Sequence, residues 1–226
     1  MHLLVLGCGK TGSLVAEVAR ERRHHVHTMS SADNPGASAL TPHALKAIDV
    51  VIDFTVAQAV LANIEACARA GKNIVVGTTG WYDQMDRVHK IVSESRIGFL
   101  YAANFSIGVN LFFDIARSAA AALGHNYSGQ IFERHHKEKK DAPSGTAIAL
   151  QKLIAAMSGA EVEITSFREG DVVGMHELLL NSENDRIYLC HDAASRRGFA
   201  EGAVLAAEWL AGKTGFFDFK EIWREL

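Results

Sequence analysis

Cysteine is scarce in this chain of 226 residues. Cys8, Cys67 and Cys190 are far apart and odd in number. They form neither a disulfide framework nor a metal-ligand spacing, so neither an oxidising compartment nor a bound metal is expected. A dominant charge is missing too. A formal net charge of -3 gives no field suited to wrapping nucleic acid. The basic excess over 134–140 is too compact to track a phosphate backbone. No apolar run reaches the ~18 residues of a membrane span. Met1 to Gly7 is too short an apolar run for a signal peptide and reads as a strand that begins at once. Internal repeats and low-complexity tracts are absent. These absences leave a cytoplasmic globular protein with no nucleic-acid and no membrane partner.

What is present is an apolar share of 48% and an aromatic share of 8%, enough for one large or two small domains with real cores. The most informative run is Glu133 to Thr146, E-R-H-H-K-E-K-K-D-A-P-S-G-T. Two adjacent histidines and three lysines precede Asp141-Ala142-Pro143-Ser144-Gly145-Thr146, which reads as a helix start with Pro143 and Ser144 in the first turn or cap. Imidazoles, an ammonium and free backbone N–H groups would meet there. That combination suits a small polyanionic substrate that must also receive a proton.

The first hundred residues read as alternating short apolar strands and amphipathic helices. Strands are expected at Leu3–Leu6, His25–Met29, Val50–Phe54, Asn73–Val76 and Ile97–Leu100, with helices after Gly12, over 56–70 and over 82–94. Such alternation implies a parallel sheet covered on both faces. Gly7-Cys8-Gly9-Lys10-Thr11-Gly12 between the first strand and helix is a G-x-G-x-x-G fingerprint in its proper setting. Gly7 permits the tight turn, Gly9 lets a pyrophosphate approach the backbone, and Gly12 lets helix and strand pack closely. Ligands bind beyond the carboxyl ends of such strands. Those ends are Gly7–Gly12, Phe54-Thr55, Gly77-Thr78-Thr79-Gly80 and Ala102-Ala103-Asn104-Phe105. No acid ends the second strand at Met29-Ser30-Ser31-Ala32, the nearest being Asp33, and Lys10 could reach a 2'-phosphate. The cofactor is therefore expected to be NADPH or NADH, with a lean toward NADPH or dual use.

The pattern changes after an alanine-rich helix over Asn110–Leu123. Tyr127–Glu133, Glu161–Arg168, Val172–Leu180 and Asp185–His191 read as strands. The last two face each other across Asn181-Ser182-Glu183-Asn184. A hairpin cannot belong to a purely parallel sheet, so a second domain with a mixed or antiparallel sheet is expected, packed on by a helix over 146–157. A helix over Gly202–Leu210 and a Phe-rich tail, Gly215–Phe219, return to the first domain, leaving the cleft between domains as the site. The fold class is α/β: a Rossmann-type parallel sheet in residues 1–106, completed by 201–226, plus a smaller α+β domain over 107–200.

The chain resembles the dihydrodipicolinate reductases of diaminopimelate and lysine biosynthesis. Glu133 to Ala147 matches the family's E-x-H-H-x-x-K-x-D-A-P-S-G-T-A without a gap. Val51–Thr55, Gly77–Gly80, Asn104–Asn110, Arg168-Glu169-Gly170, Gly174–Glu177 and Ser195–Ala200 extend the resemblance over almost the whole chain. The resemblance implies that His135 is the catalytic histidine and Lys139 the proton donor. His136, Lys139, Gly145 and Thr146 would hold the substrate carboxylates, with Ser144 and Arg196 beside them. Gly7, Gly12, Gly77, Thr79 and residues Ala102, Ala103, Asn104 and Phe105 would contact the cofactor, joined by Gly9, Lys10, Thr11, Phe54 and Thr78. Homotetramers formed through the smaller domain are implied as well.

Four positions depart from the family pattern. Ala103 replaces a proline, Thr11 replaces a methionine, the ribose acid is missing, and Ser30–Asp49 is short. None touches the chemistry. The implied substrate is a small cyclic imine with two carboxylates, to which hydride is delivered at ring carbon while a proton reaches the nitrogen side. Lys139 would donate that proton, His135 would share the role when cationic, and His136 would hold a carboxylate. The alternative within enzymes is a related Rossmann-type reductase acting on another small cyclic or linear dicarboxylate. A nonenzymatic nucleotide sensor would not need Lys139 or Gly145-Thr146, and a P-loop kinase lacks its motif here.

Overall fold

The computed structural model describes residues 1–226 throughout. It divides into two compact units, one of residues 1–107 with 197–226 and one of residues 108–196.

The first unit is built on six parallel strands: β1 (His2–Leu6), β2 (His25–Met29), β3 (Val50–Asp53), β4 (Asn73–Val76), β5 (Gly98–Tyr101) and β10 (Gly215–Asp218). Their order is β10-β5-β4-β3-β1-β2, so the chain reverses direction across the sheet between β1 and β3. Alternate residues feed two cores. Leu3, Val5, Val50, Ile52, Val75 and Leu100 face α1 (Lys10–Glu21) and α6 (Arg197–Leu210). Leu4, Leu6, Val51, Ile74, Val76 and Phe99 face α2 (Ala57–Arg69) and α3 (Met85–Ser95). Burial on both faces is why these strands read as continuous apolar runs. The Phe-rich tail joins this sheet as β10, in parallel register with β5.

The second unit carries a mixed sheet of β6 (Ser128–His135), β7 (Glu163–Arg168), β8 (Met175–Asn181) and β9 (Arg186–Asp192), in the order β7-β6-β8-β9. β6 and β7 are parallel, whereas β6–β8 and β8–β9 are antiparallel. One face packs Ile131, Leu178 and Leu180 against Phe112 and Ala116 of α4 (Ile107–Ala119) and Leu150 and Ile154 of α5 (Gly145–Ser158). The other face is open, with Phe167 and Tyr188 exposed.

Element boundaries differ from expectation, most clearly at two helices that begin early. α4 starts at Ile107 because the Asn104 side chain accepts the Ser106 N–H at 2.9 Å, turning the chain into the helix. It tightens into a 3₁₀ turn over Ala120–Gly124. α6 starts at Arg197, five residues before Gly202, with Arg197 paired to Glu201 one turn on at 2.8 Å. The stretch 107–124 is, against expectation, long and apolar enough by length and composition to cross a membrane. It carries the ion pair Arg117–Asp114, and Phe112, Ala116 and Ala120 are buried in the core of its own unit.

Candidate functional site

In the first unit, the carboxyl ends of β1, β3 and β4 surround a cavity of about 420 Å³. Gly9, Lys10, Thr11, Gly12, Phe54, Gly77, Thr78 and Thr79, all expected at the cofactor, line it together with Thr55–Ala57. Gly7 lies behind it at φ +97°, where a Cβ would meet the Phe54 carbonyl at 2.2 Å. A Cβ on Gly12 would lie 2.0 Å from the Gly7 carbonyl, and one on Gly77 would lie 2.3 Å from the Phe54 ring. Gly9 is different: a Cβ there meets nothing within 4 Å. Three glycines therefore let the loop and helix close on themselves, while the fourth keeps the backbone open to a ligand. α1 begins at Lys10 with no side-chain cap and no acid in its first turn. Its N–H groups remain available to a pyrophosphate. These residues fit a dinucleotide.

Asp53, which sequence reasoning gave no role, holds this cavity together. Its fully buried carboxylate accepts from the Thr55 N–H at 2.8 Å, the Thr55 hydroxyl at 2.6 Å, the Asn63 amide at 2.8 Å and the Thr78 hydroxyl at 3.0 Å. Four donors offset the cost of burying the charge and tie the loop after β3 to the loop after β4. Ala102, Ala103, Asn104 and Phe105 do not line the cavity. Ala102 and Phe105 are core residues, Ala103 is exposed, and Asn104 turns the chain toward α4.

The expectation of a second strand ending without charge needs correction. Asp33 folds back so that its carboxylate accepts from the Ser30 N–H at 3.2 Å and the Ser30 hydroxyl at 2.5 Å. Those hydrogen bonds, the hydroxyl's foremost, hold its carboxyl below the usual range. A tight turn thus returns a carboxylate to the end of β2, a placement that spacing along the chain does not reveal.

In the second unit, the helix-covered face of the sheet turns polar toward the end of β6. Ile131 is core, but Glu133 and His135, next on the same face, are buried and ionisable. His135 Nδ1 lies 2.5 Å from Glu133 Oε2, and Arg168 Nη2 donates to Glu133 Oε1 at 2.8 Å. Burial alone would raise the Glu133 carboxyl, but hydrogen bonds from Arg168, Ser166 and His135 hold it below its ordinary range. Burial, joined by the nearby charges of Lys139 and Arg168, holds the His135 imidazole below its ordinary value despite the Glu133 carboxylate.

His176 of β8, paired in register with Glu133, sets its ring edge-on to His135 with centroids 5.2 Å apart. Its Nε2 lies 3.2 Å from the Ser144 hydroxyl, and its Nδ1 is buried without a partner. Burial drives its pKa down to about 4. Ligand atoms of Glu133, His135 and His176 lie within 4.8 Å of one another. Arg168 already shares the Glu133 charge, so the trio is a hydrogen-bond network poorly suited to a cation.

Ser144 caps α5, taking the Ala147 N–H on its hydroxyl at 3.2 Å and the Ile148 N–H on its carbonyl at 3.0 Å. The N–H groups of Gly145 and Thr146 are left for an anion. Lys139 Nζ is held by both oxygens of Asp141, at 2.7 and 2.9 Å. That hydrogen bond, ahead of the opposing effect of burial, holds the Asp141 carboxyl below its usual range. Arg196 Nη2 lies 3.4 Å from His136 Nε2. Sequence reasoning gave Glu133, Arg168 and His176 no role. β6 runs two residues past the expected strand end at Glu133, and that extension puts Glu133 and His135 on one face.

Family models described as dihydrodipicolinate reductase, N-terminus and C-terminus, match residues 1–105 and 108–223. A 4-hydroxy-tetrahydrodipicolinate reductase from Christiangramia forsetii is 36% identical, over 100% of this chain and 99% of that one. One from Thiobacillus denitrificans is 37% identical over 79% of this chain and 74% of its own. Among solved structures, dipicolinate-bound dihydrodipicolinate reductase from Paenisporosarcina sp. TG-14 shares the fold. Its TM-score is 0.81 at 21% identity, covering 98% of this chain and 99% of that one.

Proposed function

The chain belongs to the dihydrodipicolinate reductase family, and on that premise we propose that it reduces dihydrodipicolinate, formed from 4-hydroxy-tetrahydrodipicolinate, to tetrahydrodipicolinate. It is an NAD(P)H-dependent oxidoreductase of lysine and diaminopimelate biosynthesis. The observation that carries the reading is the convergence of the Glu133–His135 pair with Ser144 and the start of α5 within one unit.

The cavity at Gly9–Gly12, Phe54 and Gly77–Thr79 holds the dinucleotide, whose nicotinamide supplies the hydride when bound. The N–H groups of Gly145 and Thr146, with the Thr146 hydroxyl, take one substrate carboxylate. His136 and Arg196 take the other by charge-assisted hydrogen bonds. Lys139, held by both oxygens of Asp141, gives a proton to the nitrogen side of the ring as negative charge builds there. His135 is held largely neutral by burial and shares this role when it takes up a proton. Lys10 and Asp33 place opposite charges in the loops after β1 and β2, and this supports use of both NADPH and NADH.

The open face of the four-stranded sheet, with Phe167 and Tyr188 exposed, is the joining surface of a homotetramer. Three free cysteines accord with a reducing cytoplasm. The test is steady-state kinetics with freshly made dihydrodipicolinate and each cofactor. Substrate-dependent oxidation of NADPH or NADH is expected. Negligible rates with both would overturn the assignment, and turnover of another dicarboxylate instead would favour a related reductase.

A further inference from the structure

The side chains that set the environment of His135 come from all three neighbouring parts of the sheet, and the reaction outlined above uses none of them directly. Glu133 precedes it on β6, Arg168 ends β7 in register with it, and His176 faces it from β8. A carboxylate with no exposed surface is costly unless its charge is matched and its lone pairs are filled. Glu133 meets both conditions by dividing its oxygens between Arg168 and His135. The same Arg168 Nη2 also donates to the Asp141 carbonyl at 2.6 Å, and Asp141 grips Lys139. A continuous chain of contacts therefore runs His135–Glu133–Arg168–Asp141–Lys139. It joins the two groups to which the proton chemistry is assigned.

A Cβ on Gly174 would lie 3.0 Å from His135 Nε2, so glycine there spares that nitrogen a close side-chain contact. We propose that Glu133 and Arg168 are positioning residues for the reduction. Glu133 fixes His135 as the tautomer with its proton on Nδ1 and Nε2 free, and Arg168 sets the 136–143 loop that presents Lys139. The inference rests on the reading of His135 and Lys139 given above and adds how both are held. A carboxylate on one ring nitrogen selects which nitrogen faces the reaction and steadies the cationic form when it arises. The charged and titratable groups facing His135 are Glu133, Arg168, Lys139 and His176, of which only Glu133 favours its protonation.

The test uses the full-length enzyme with Glu133→Gln, His135→Ala and the double variant. Measurements are kcat and KM for dihydrodipicolinate, NADPH binding by fluorescence, and the pH profile of kcat/KM. Glu133→Gln is expected to lower kcat by about 10- to 100-fold, less than the ~10²–10⁴ of a lost proton-transfer group, because His135 itself remains. Cofactor binding should be unchanged, and the limb that follows His135 should move to lower pH. In the His135→Ala background the same change should cost nothing more in kcat, because Glu133 acts through His135. An unaltered kcat in Glu133→Gln, or an equal loss with and without His135, would overturn the proposal and leave Glu133 as a tie between strands. Should Glu133→Gln fail to fold, ¹⁵N spectra of histidine-labelled unmodified enzyme decide the matter. Neutral His135 protonated on Nδ1 supports the proposal, and protonation on Nε2 overturns it. An unmodified enzyme that is inactive on dihydrodipicolinate counts against the substrate reading, while the spectra still decide the role of Glu133.

Discussion

At the ends of β1, β3 and β4 the decisive feature is the absence of side chains, whereas at the end of β6 it is the pairing of charged ones. Gly7, Gly12 and Gly77 sit where a single added carbon would collide with backbone or with Phe54, and Gly9 leaves its space open. Glu133, His135, Arg168 and Lys139 would each be costly or misdirected without their partners. A steric cradle tolerates changes of charge but not of volume. An ion-pair network tolerates changes of volume better than the loss of one charge. Binding of the cofactor and proton delivery to the substrate should therefore fail separately, under different substitutions.

The largest separation is expected at Lys139. Lys139→Ala should lower kcat by at least ~100-fold, since a positioned proton donor is worth ~10²–10⁴. NADPH binding should survive, because the cavity residues belong to the other unit. A matching loss of NADPH affinity would break the contrast and make Lys139 a support for the fold or the cofactor.

Acid should act on the charged network selectively. The unfolded chain takes up a proton at His176 near its ordinary value of 6.5, the folded chain only near 4. Between those values the unfolded state holds more protons, so stability rises with pH across the window and is lost on acidification. The contribution of His176 is on the order of 3 kcal/mol at most. His135, lowered by burial, acts in the same direction. Thermal unfolding followed from about pH 7 to about pH 4.5 should show a shallower decline in His176→Gln than in the parent. Parallel curves would mean that His176 is not held neutral.

The cradle should respond to volume, and differently at neighbouring glycines. Gly12→Ala forces a carbon onto the Gly7 carbonyl and should cost about 1–3 kcal/mol of stability. Gly9→Ala should leave the melting temperature in place and weaken cofactor binding instead. Calorimetry and NADPH titration on both variants read the difference, and equal melting temperatures would contradict the packing account. The smallest expected effect is at the α5 terminus. Thr146→Val removes one hydroxyl but keeps the N–H groups, for a loss of about 1–3 kcal/mol in substrate binding. It is read as a raised KM with kcat nearly intact, and no change in either would put the carboxylate elsewhere.

The same contrast explains what could be read from the sequence. The parallel sheet, the mixed sheet and the glycine cradle follow from periodicity and from one local motif, because each rests on residues close together in the chain. The cap at Ser144 was legible for the same reason. Asp53 looked like an ordinary strand end, since its four donors arrive from three separate segments. Arg168 and His176 lie 35 and 43 positions beyond Glu133, and only strand register brings them to it. Asp33 was misjudged because a tight turn, which spacing does not encode, returns its carboxylate to the end of β2.

The central claim is that this chain reduces the ring by accepting hydride from a bound nicotinamide while its own residues deliver the proton. The most direct test is turnover of dihydrodipicolinate with nicotinamide cofactor deuterated at the transferable position, followed by mass analysis of the product. Tetrahydrodipicolinate carrying the deuterium is expected, formed as fast as the cofactor is oxidised. Cofactor oxidation without deuterium in the product, or no oxidation at all, would contradict it.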